Sequence, residues 1–197
     1  MSSLRRVAVF CGSSLGSRAV YAKAARRFGD ALARREIGLV YGGASVGLMG
    51  TLADTVAAAG GSVVGVIPRA LVEREIAHET LTDLRVVESM HERKALMSEL
   101  SDAFVALPGG MGTLDELAEA VTWNQLGIHA KPCGLLDVEG YFARFMEFLE
   151  HATAEGFLRT GDRDSLIVDA DPDDLLDRLV NAEPRATKWL LREAPRP

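Results

Sequence analysis

The chain predicts an α/β fold: a Rossmann-like, doubly wound, mainly parallel sheet with helices on both faces, in a single domain. Three observations lead there. Apolar runs of strand length alternate with longer stretches of helical periodicity, the order of a parallel sheet covered on both sides. The runs are continuously apolar rather than alternating, as strands buried on both faces require. Three of them stop at loops of small or glycine residues, and in such sheets ligands bind at the carboxyl ends of strands, near a switch in strand order. A chain of 197 residues, 48 % of them apolar, suits one compact core.

In order, Val7–Cys11 (VAVFC) reads as a buried first strand that stops at Gly12, and Gly12–Ser17 (GSSLGS) as a loop. Ala19–Arg35, rich in Ala and Arg, is a helix. Ile37–Tyr41 is the second strand and runs into Gly42-Gly43. Gly47–Ala59 is a helix closed by Gly60-Gly61, and Ser62–Ile67 a strand halted by Pro68. Residues 68–83 are mixed and charged, a short helix or a loop. Leu84–Val87 is a short strand and Met90–Leu100 a helix. Ala103–Leu107 is a strand leading directly into Pro108-Gly109-Gly110-Met111-Gly112. Thr113–Leu126 is a helix, Cys133–Leu136 a strand, Tyr141–Glu155 a helix, Ser165–Val168 the last strand and Pro172–Val180 the last helix. Residues 1–182 form the domain. Residues 183–197, with Pro184, Pro195 and Pro197, form a tail whose Trp189–Leu191 can dock on the body or on another subunit.

Charge and composition exclude several classes. The net charge is −6, from 22 basic and 28 acidic residues, whereas non-specific nucleic-acid binders carry a basic excess. No run reaches the roughly 20 apolar residues of a membrane span. Met1–Arg6 lacks the apolar stretch of a signal peptide. Cys11 and Cys133 make no CxxC pair, and His78, His91, His129 and His151 have no metal-ligand spacing. The expectation is a cytoplasmic protein without metal, membrane or nucleic-acid partner.

The segment Pro108–Glu116 (PGGMGTLDE) carries the most chemistry. Its glycines let bare backbone N–H groups approach a ligand. The helix that follows presents unpaired N–H groups and a partial positive charge, which suit a phosphate. It is neither a Walker loop nor a dinucleotide GxGxxG motif. A purely structural account also exists. Thr113-Leu-Asp-Glu116 fits a capping box, with Thr113 as the cap and Glu116 reaching back to it. That account covers the Thr and the Glu but not the three glycines and a proline directly after a strand.

Two further segments qualify. Gly42–Gly50 (GGASVGLMG) fits a tight strand-to-helix turn first, and a functional account adds room, as at Gly43, for a ribose or phosphate beside the backbone. Met90-His91-Glu92-Arg93-Lys94 places two basic residues near a helix start, against the macrodipole, a conflict that a nearby anion would resolve and that a solvated charged face would merely tolerate. Cys11 at a strand exit fits a small core residue better than a nucleophile.

Together, MHERKA at 90–95 and PGGMGTLDE at 108–116 resemble the Lonely Guy (LOG) family, whose PGGxGTxxE motif is matched at Pro108, Gly109, Gly110, Gly112, Thr113 and Glu116. VAVFCGSS at 7–14, YGGASVGLMG at 41–50, GVIPRAL at 65–71 and TWNQLGIHAKP at 122–132 extend the resemblance, which fades after about Leu158. The resemblance implies a cytokinin riboside 5′-monophosphate phosphoribohydrolase, a family often labelled lysine decarboxylase. The implied enzyme is a homodimer without cofactor. Its catalytic pair falls on Arg93 and Glu116. Its phosphate loop falls on Gly109, Gly110, Met111, Gly112 and Thr113, with further substrate contacts at Glu75, Lys94 and Thr122.

The chemistry agrees with those residues. Cleaving an N-glycosidic bond builds positive charge on the ribose, which a carboxylate stabilises while it positions or deprotonates a water. Glu116 suits that role, and Arg93, always charged, can hold it ionised and oriented. The expected substrate is an adenosine 5′-monophosphate, AMP or isopentenyl-AMP. A decarboxylase would need a pyridoxal lysine, and Lys23, Lys94, Lys131 and Lys188 lie in no such motif. The other class open to these loops is a nucleotide-binding sensor or carrier without catalysis.

Overall fold

A computed structural model describes residues 4–72, 77–78, 81 and 83–183. Glu75 and the tail with Trp189–Leu191 lie outside the described residues. Seven strands form one sheet in the order β4-β3-β2-β1-β5-β6-β7. They are β1 (Arg6–Phe10), β2 (Gly38–Tyr41), β3 (Val63–Pro68), β4 (Asp83–Val87), β5 (Ala103–Ala106), β6 (Cys133–Leu136) and β7 (Leu166–Asp169). Every pairing is parallel. The strand order reverses between β1 and β5, so the crevice opens where the loops after Phe10 and Ala106 diverge.

The continuous apolar strands explain the layers. Along β1, Val7 and Val9 pack with one cluster while Ala8 and Phe10 pack with the other, following the two-residue period of a strand. The first cluster is covered by α1 (Ala19–Arg34), α2 (Gly47–Ala58) and α8 (Pro172–Val180), through Phe28, Leu32, Leu52, Leu175 and Leu179. The second is covered by α4 (Met90–Glu99), α5 (Met111–Leu126) and α6 (Ala143–Ala154), through Met97, Leu117 and Leu149.

The differences from the sequence reading have local causes. The mixed region contains a one-turn helix α3 (Arg69–Val72) directly after β3. A short helix α7 (Thr160–Asp164), unforeseen because TGDRD has no apolar period, is tied by an Arg159–Asp162 ion pair of 2.6 Å. The helix expected from Tyr141 begins at Ala143. A 3-10 turn over Val138–Gly140 precedes it, with Glu139 and Gly140 at φ of 51° and 75°, and Tyr141 stays outside the helix. Most consequential, α5 begins at Met111, not Thr113, because extended Gly110 (φ −91°, ψ −153°) caps it.

Candidate active site

Three strand exits are joined into one wall. The Gly12 N–H donates to the Pro108 carbonyl at 3.0 Å, and the Leu48 N–H donates to the Gly12 carbonyl at 3.0 Å. Gly47 makes this approach feasible, since a Cβ there would stand 2.3 Å from the Ser13 carbonyl carbon. The loops after β1, β2 and β5 therefore present a single surface at the switch point.

On that surface stands the start of α5. The capping-box reading of Thr113 and Glu116 is overturned: with Gly110 as the cap, Thr113 is already inside the helix, and Gly110 has no side chain to satisfy the first turn. The first-turn N–H groups thus lack helical acceptors. Thr113 is 3 % exposed, and its hydroxyl lies under Gly109, where a Cβ would come within 2.1 Å of Oγ1. At Gly110 and Gly112, by contrast, an added Cβ would meet nothing within 4 Å. Packing does not require glycine at those two positions; the open volume beside the helix start is what their bareness preserves.

A side-chain cap does exist, one helix earlier. Ser89 caps α4, its hydroxyl accepting from Glu92 N–H at 3.1 Å, while Glu92 accepts from the Glu88 N–H at 2.9 Å. Arg93 follows and turns inward, only 5 % exposed. Its Nη2 lies 3.3 Å from Glu116 Oε1, which is itself 9 % exposed. Gly42 makes room for it: a Cβ at Gly42 would fall 2.0 Å from Nη2. Arg93 Nε is buried and has no acceptor among the described residues. An unsatisfied buried donor costs about 1–3 kcal/mol. Arg93 and Glu116 line a cavity of about 270 Å³ with Cys11, Ser13, Gly110 and Gly112. Both basic residues of α4 have protein carboxylates within reach. Lys94 Nζ pairs with Asp115 at 3.2 Å and Glu119 at 3.1 Å, so two ion pairs cross side by side from α4 to α5.

A family model described as "Possible lysine decarboxylase" matches residues 49–179. The cytokinin riboside 5′-monophosphate phosphoribohydrolase LOG1 of Arabidopsis thaliana is 47 % identical over 95 % of this chain and 88 % of its own length. A probable enzyme of the same description from Oryza sativa subsp. japonica, LOGL2, is 48 % identical over 95 % of this chain and 77 % of its own length. The chain belongs to the LOG family. Among solved structures, the molybdenum cofactor carrier protein of Chlamydomonas reinhardtii superposes with a TM-score of 0.69 at 21 % identity, covering 91 % of this chain and all of its own. At that identity the likeness is one of fold.

Within this LOG-family chain, Arg93, Glu116, Gly110, Met111, Gly112 and Thr113 meet around the one cavity. Gly109 lies behind them, against Tyr141. Other expected contacts are not brought there. Gly43 packs on Ile67 and Leu84. The exposed Thr122 hydroxyl donates to the Ala118 carbonyl at 2.7 Å. The carboxylates of Glu119 and Asp115 hold the Lys94 pKa above its usual value against the opposing pull of burial. Glu75 lies outside the described residues. Residues not anticipated are Gly42, which clears space for Arg93, and Met49 and Leu71, which join Met90 as apolar lining. The Cys11 thiol also borders the cavity, but burial, reinforced by the Glu116 charge, pushes its pKa far up, so it stays protonated and is no nucleophile.

Proposed function

We propose that this chain hydrolyses the N-glycosidic bond of an adenosine 5′-monophosphate, with or without an N6 substituent, releasing the free base and ribose 5-phosphate. The observation that carries the reading is the buried Arg93–Glu116 pair at 3.3 Å, opening on a cavity beside the bare start of α5. The 5′-phosphate docks on the N–H groups of Gly110–Thr113, where the helix dipole favours an anion. This places the ribose toward Glu116. As the C1′–N bond breaks, its electron pair leaves with the base, and Glu116 stabilises the positive charge on the sugar. Glu116 also takes a proton from the water that adds to C1′, and the base gains a proton from solvent. Arg93 orients Glu116 and keeps it ionised through the 3.3 Å ion pair. Phosphate binding supplies orientation at the reacting carbon.

Met90, Met49 and Leu71 give the cavity an apolar side that suits a base or its N6 prenyl group. Met90 and Met111 are exposed large apolar residues at its mouth, which supports a homodimer with the sites close to the subunit interface. No described helix is long and apolar enough to cross a membrane, which agrees with a cytoplasmic enzyme.

The test is a hydrolysis panel of AMP, isopentenyl-AMP, GMP and CMP, each beside its nucleoside, with base and ribose 5-phosphate quantified. Monophosphates are expected to react at least ~100-fold faster in kcat/KM than nucleosides, as loss of remote binding energy costs rate. Equal rates for adenosine and AMP would remove the phosphate-loop assignment. Tight binding of AMP without turnover would place the chain among nucleotide carriers or sensors.

A further inference from the structure

Behind the phosphate loop lies a second hollow, about 300 Å³, bounded by Gly109, Leu15, Tyr21 and Tyr141. Across it the Tyr141 hydroxyl donates to the Gly109 carbonyl at 2.6 Å. We propose that Tyr141 is a positioning residue that locks the Gly109–Gly110 peptide so that the Gly110 N–H faces the substrate phosphate.

The argument follows from the planarity of the peptide bond. In a trans peptide the C=O and the following N–H point in opposite directions, and no described peptide is cis. Gly109 borders only the rear hollow, whereas Gly110 borders both spaces. Drawing the Gly109 carbonyl back onto Tyr141 therefore turns the Gly110 N–H forward. The next peptide is fixed independently, because the Gly110 carbonyl accepts from the Leu114 N–H at 3.2 Å as part of α5. A Gly-Gly peptide is otherwise free to flip, since neither residue has a Cβ to resist it. Flipped, it would aim a carbonyl dipole at the phosphate. The chain invests structure in this contact. Glu139 adopts a left-handed φ of 51°, unusual for a side-chain-bearing residue, and with Gly140 at 75° lifts Tyr141 clear of α6. Tyr21 at the start of α1 meets the Tyr141 ring edge-on at 5.7 Å, and an Arg18–Glu139 ion pair ties the same helix start to the turn before Tyr141.

This rests on the phosphate-loop reading but is separable from hydrolysis. Tyr141→Phe keeps the ring and deletes only the hydroxyl. The Kd for inorganic phosphate and for ribose 5-phosphate, and the KM for AMP, are expected to rise together by roughly five- to tenfold, the scale of one hydrogen bond. The kcat at saturating AMP should change by less than about twofold, as expected where only uniform binding is removed. Unchanged Kd and KM, or a fall in kcat at constant KM, would overturn the proposal. In the wild-type protein the Gly110 amide resonance should shift downfield as inorganic phosphate is titrated. A resonance that does not move overturns it whatever the variant does. If the wild-type protein releases no base from AMP, the hydrolase reading fails while the phosphate titrations still decide the role of Tyr141.

Discussion

The two ends of the sheet make an instructive pair. At the amino end lies the larger hollow, about 430 Å³, lined by Arg5, Arg6, Glu36, Glu99 and Asp102. At the carboxyl end the candidate active-site cavity measures about 270 Å³ and is lined by the buried Arg93–Glu116 ion pair. Size and number of charges both favour the amino end, yet the chemistry favours the other. The Arg5 side chain is 83 % exposed, and Asp102 is occupied in closing the chain, its carboxylate accepting from the N–H groups of Arg5 and Arg6 at 2.8 and 3.0 Å. Exposed charges in water interact weakly. At the carboxyl end, buried groups converge, Arg93 Nε has no acceptor among the described residues, and α5 starts at a residue with no capping side chain. What separates a site from a charged surface is desolvation and incompleteness.

The largest effect that tests this contrast is on Glu116. Glu116→Gln keeps the shape but removes the charge beside the ribose and the base for the water, so kcat should fall at least ~100-fold, within the usual range of general base catalysis. Arg93→Ala should fall similarly, and the double variant little further, because groups acting as a unit are not additive. Since Glu116 is no helix cap, stability also answers to the ion pair. Gln can still accept from Arg93 but leaves its buried charge uncompensated, and a loss of about 1–3 kcal/mol is expected, short of the cost of deleting a partner outright. Asp102→Asn at the amino end should leave kcat within error of wild type. Equal losses in kcat at the two ends would erase the distinction.

Intermediate effects come from two glycines that oppose each other. Gly42→Ala puts a Cβ 2.0 Å from Arg93 Nη2. The guanidinium can shift to relieve the clash, so melting temperature should change little, while kcat should drop by about 10–100-fold, as a displacement near 1 Å can cost. Gly112→Ala meets open space, and an alanine in a helix is more favourable by up to about 1 kcal/mol. The variant should melt slightly higher yet show a KM for AMP raised roughly tenfold or more, because its methyl enters the volume a phosphate uses. A Gly112→Ala protein of unaltered KM would mean that the phosphate binds elsewhere.

Much of this was legible in the sequence, for physical reasons that also mark where reading stops. Strands buried on both faces are continuous apolar runs, so Val7–Cys11, Ile37–Tyr41 and Ala103–Leu107 announced themselves and their glycine exits. Arg93 and Glu116 were legible as chemical types in a family pattern. Helix phase at the ends was not. Ser89-Met-His-Glu92 and Thr113-Leu-Asp-Glu116 both have capping-box spacing, yet Ser89 caps α4 with its hydroxyl while Gly110 caps α5 and leaves Thr113 inside the helix. Gly42 and Gly43 are neighbours in a string of small residues. Which of them clears Arg93 depends on which strand and helix lie opposite, a property of the sheet order. The sequence left Arg93 and Lys94 between an anion site and a solvated face, because the Lys94 partners Asp115 and Glu119 lie on the neighbouring helix of the same face, invisible to local spacing.

The smallest expected effect belongs to the amino end and sharpens the same comparison. His129, in the loop before β6, lies over Phe104 with ring centroids 5.1 Å apart. Its Nδ1 accepts from the Lys131 N–H at 3.3 Å, and its buried Nε2 has no partner among the described residues. Burial first, and the Lys131 charge second, push its pKa down to about 4. Above about pH 6.5, the ordinary histidine value, the imidazole is neutral both folded and unfolded, and its contribution is fully present. As the pH falls below that, the unfolded chain takes up a proton that the folded chain refuses, so stability declines until about pH 4 and then levels. The ring is partly exposed, and solvent screening reduces the loss to about 1 kcal/mol. The check is the urea midpoint of wild type and His129→Gln from pH 7.5 down to 4. The gap between them should stay constant above pH 6.5 and narrow by about 1 kcal/mol below it. The kcat of His129→Gln at neutral pH should match wild type, since an unsatisfied nitrogen at this end of the sheet is a cost of packing and touches no substrate. A gap that does not narrow would show that the imidazole titrates as it does in water. A large loss of kcat would show that the amino end takes part in catalysis after all.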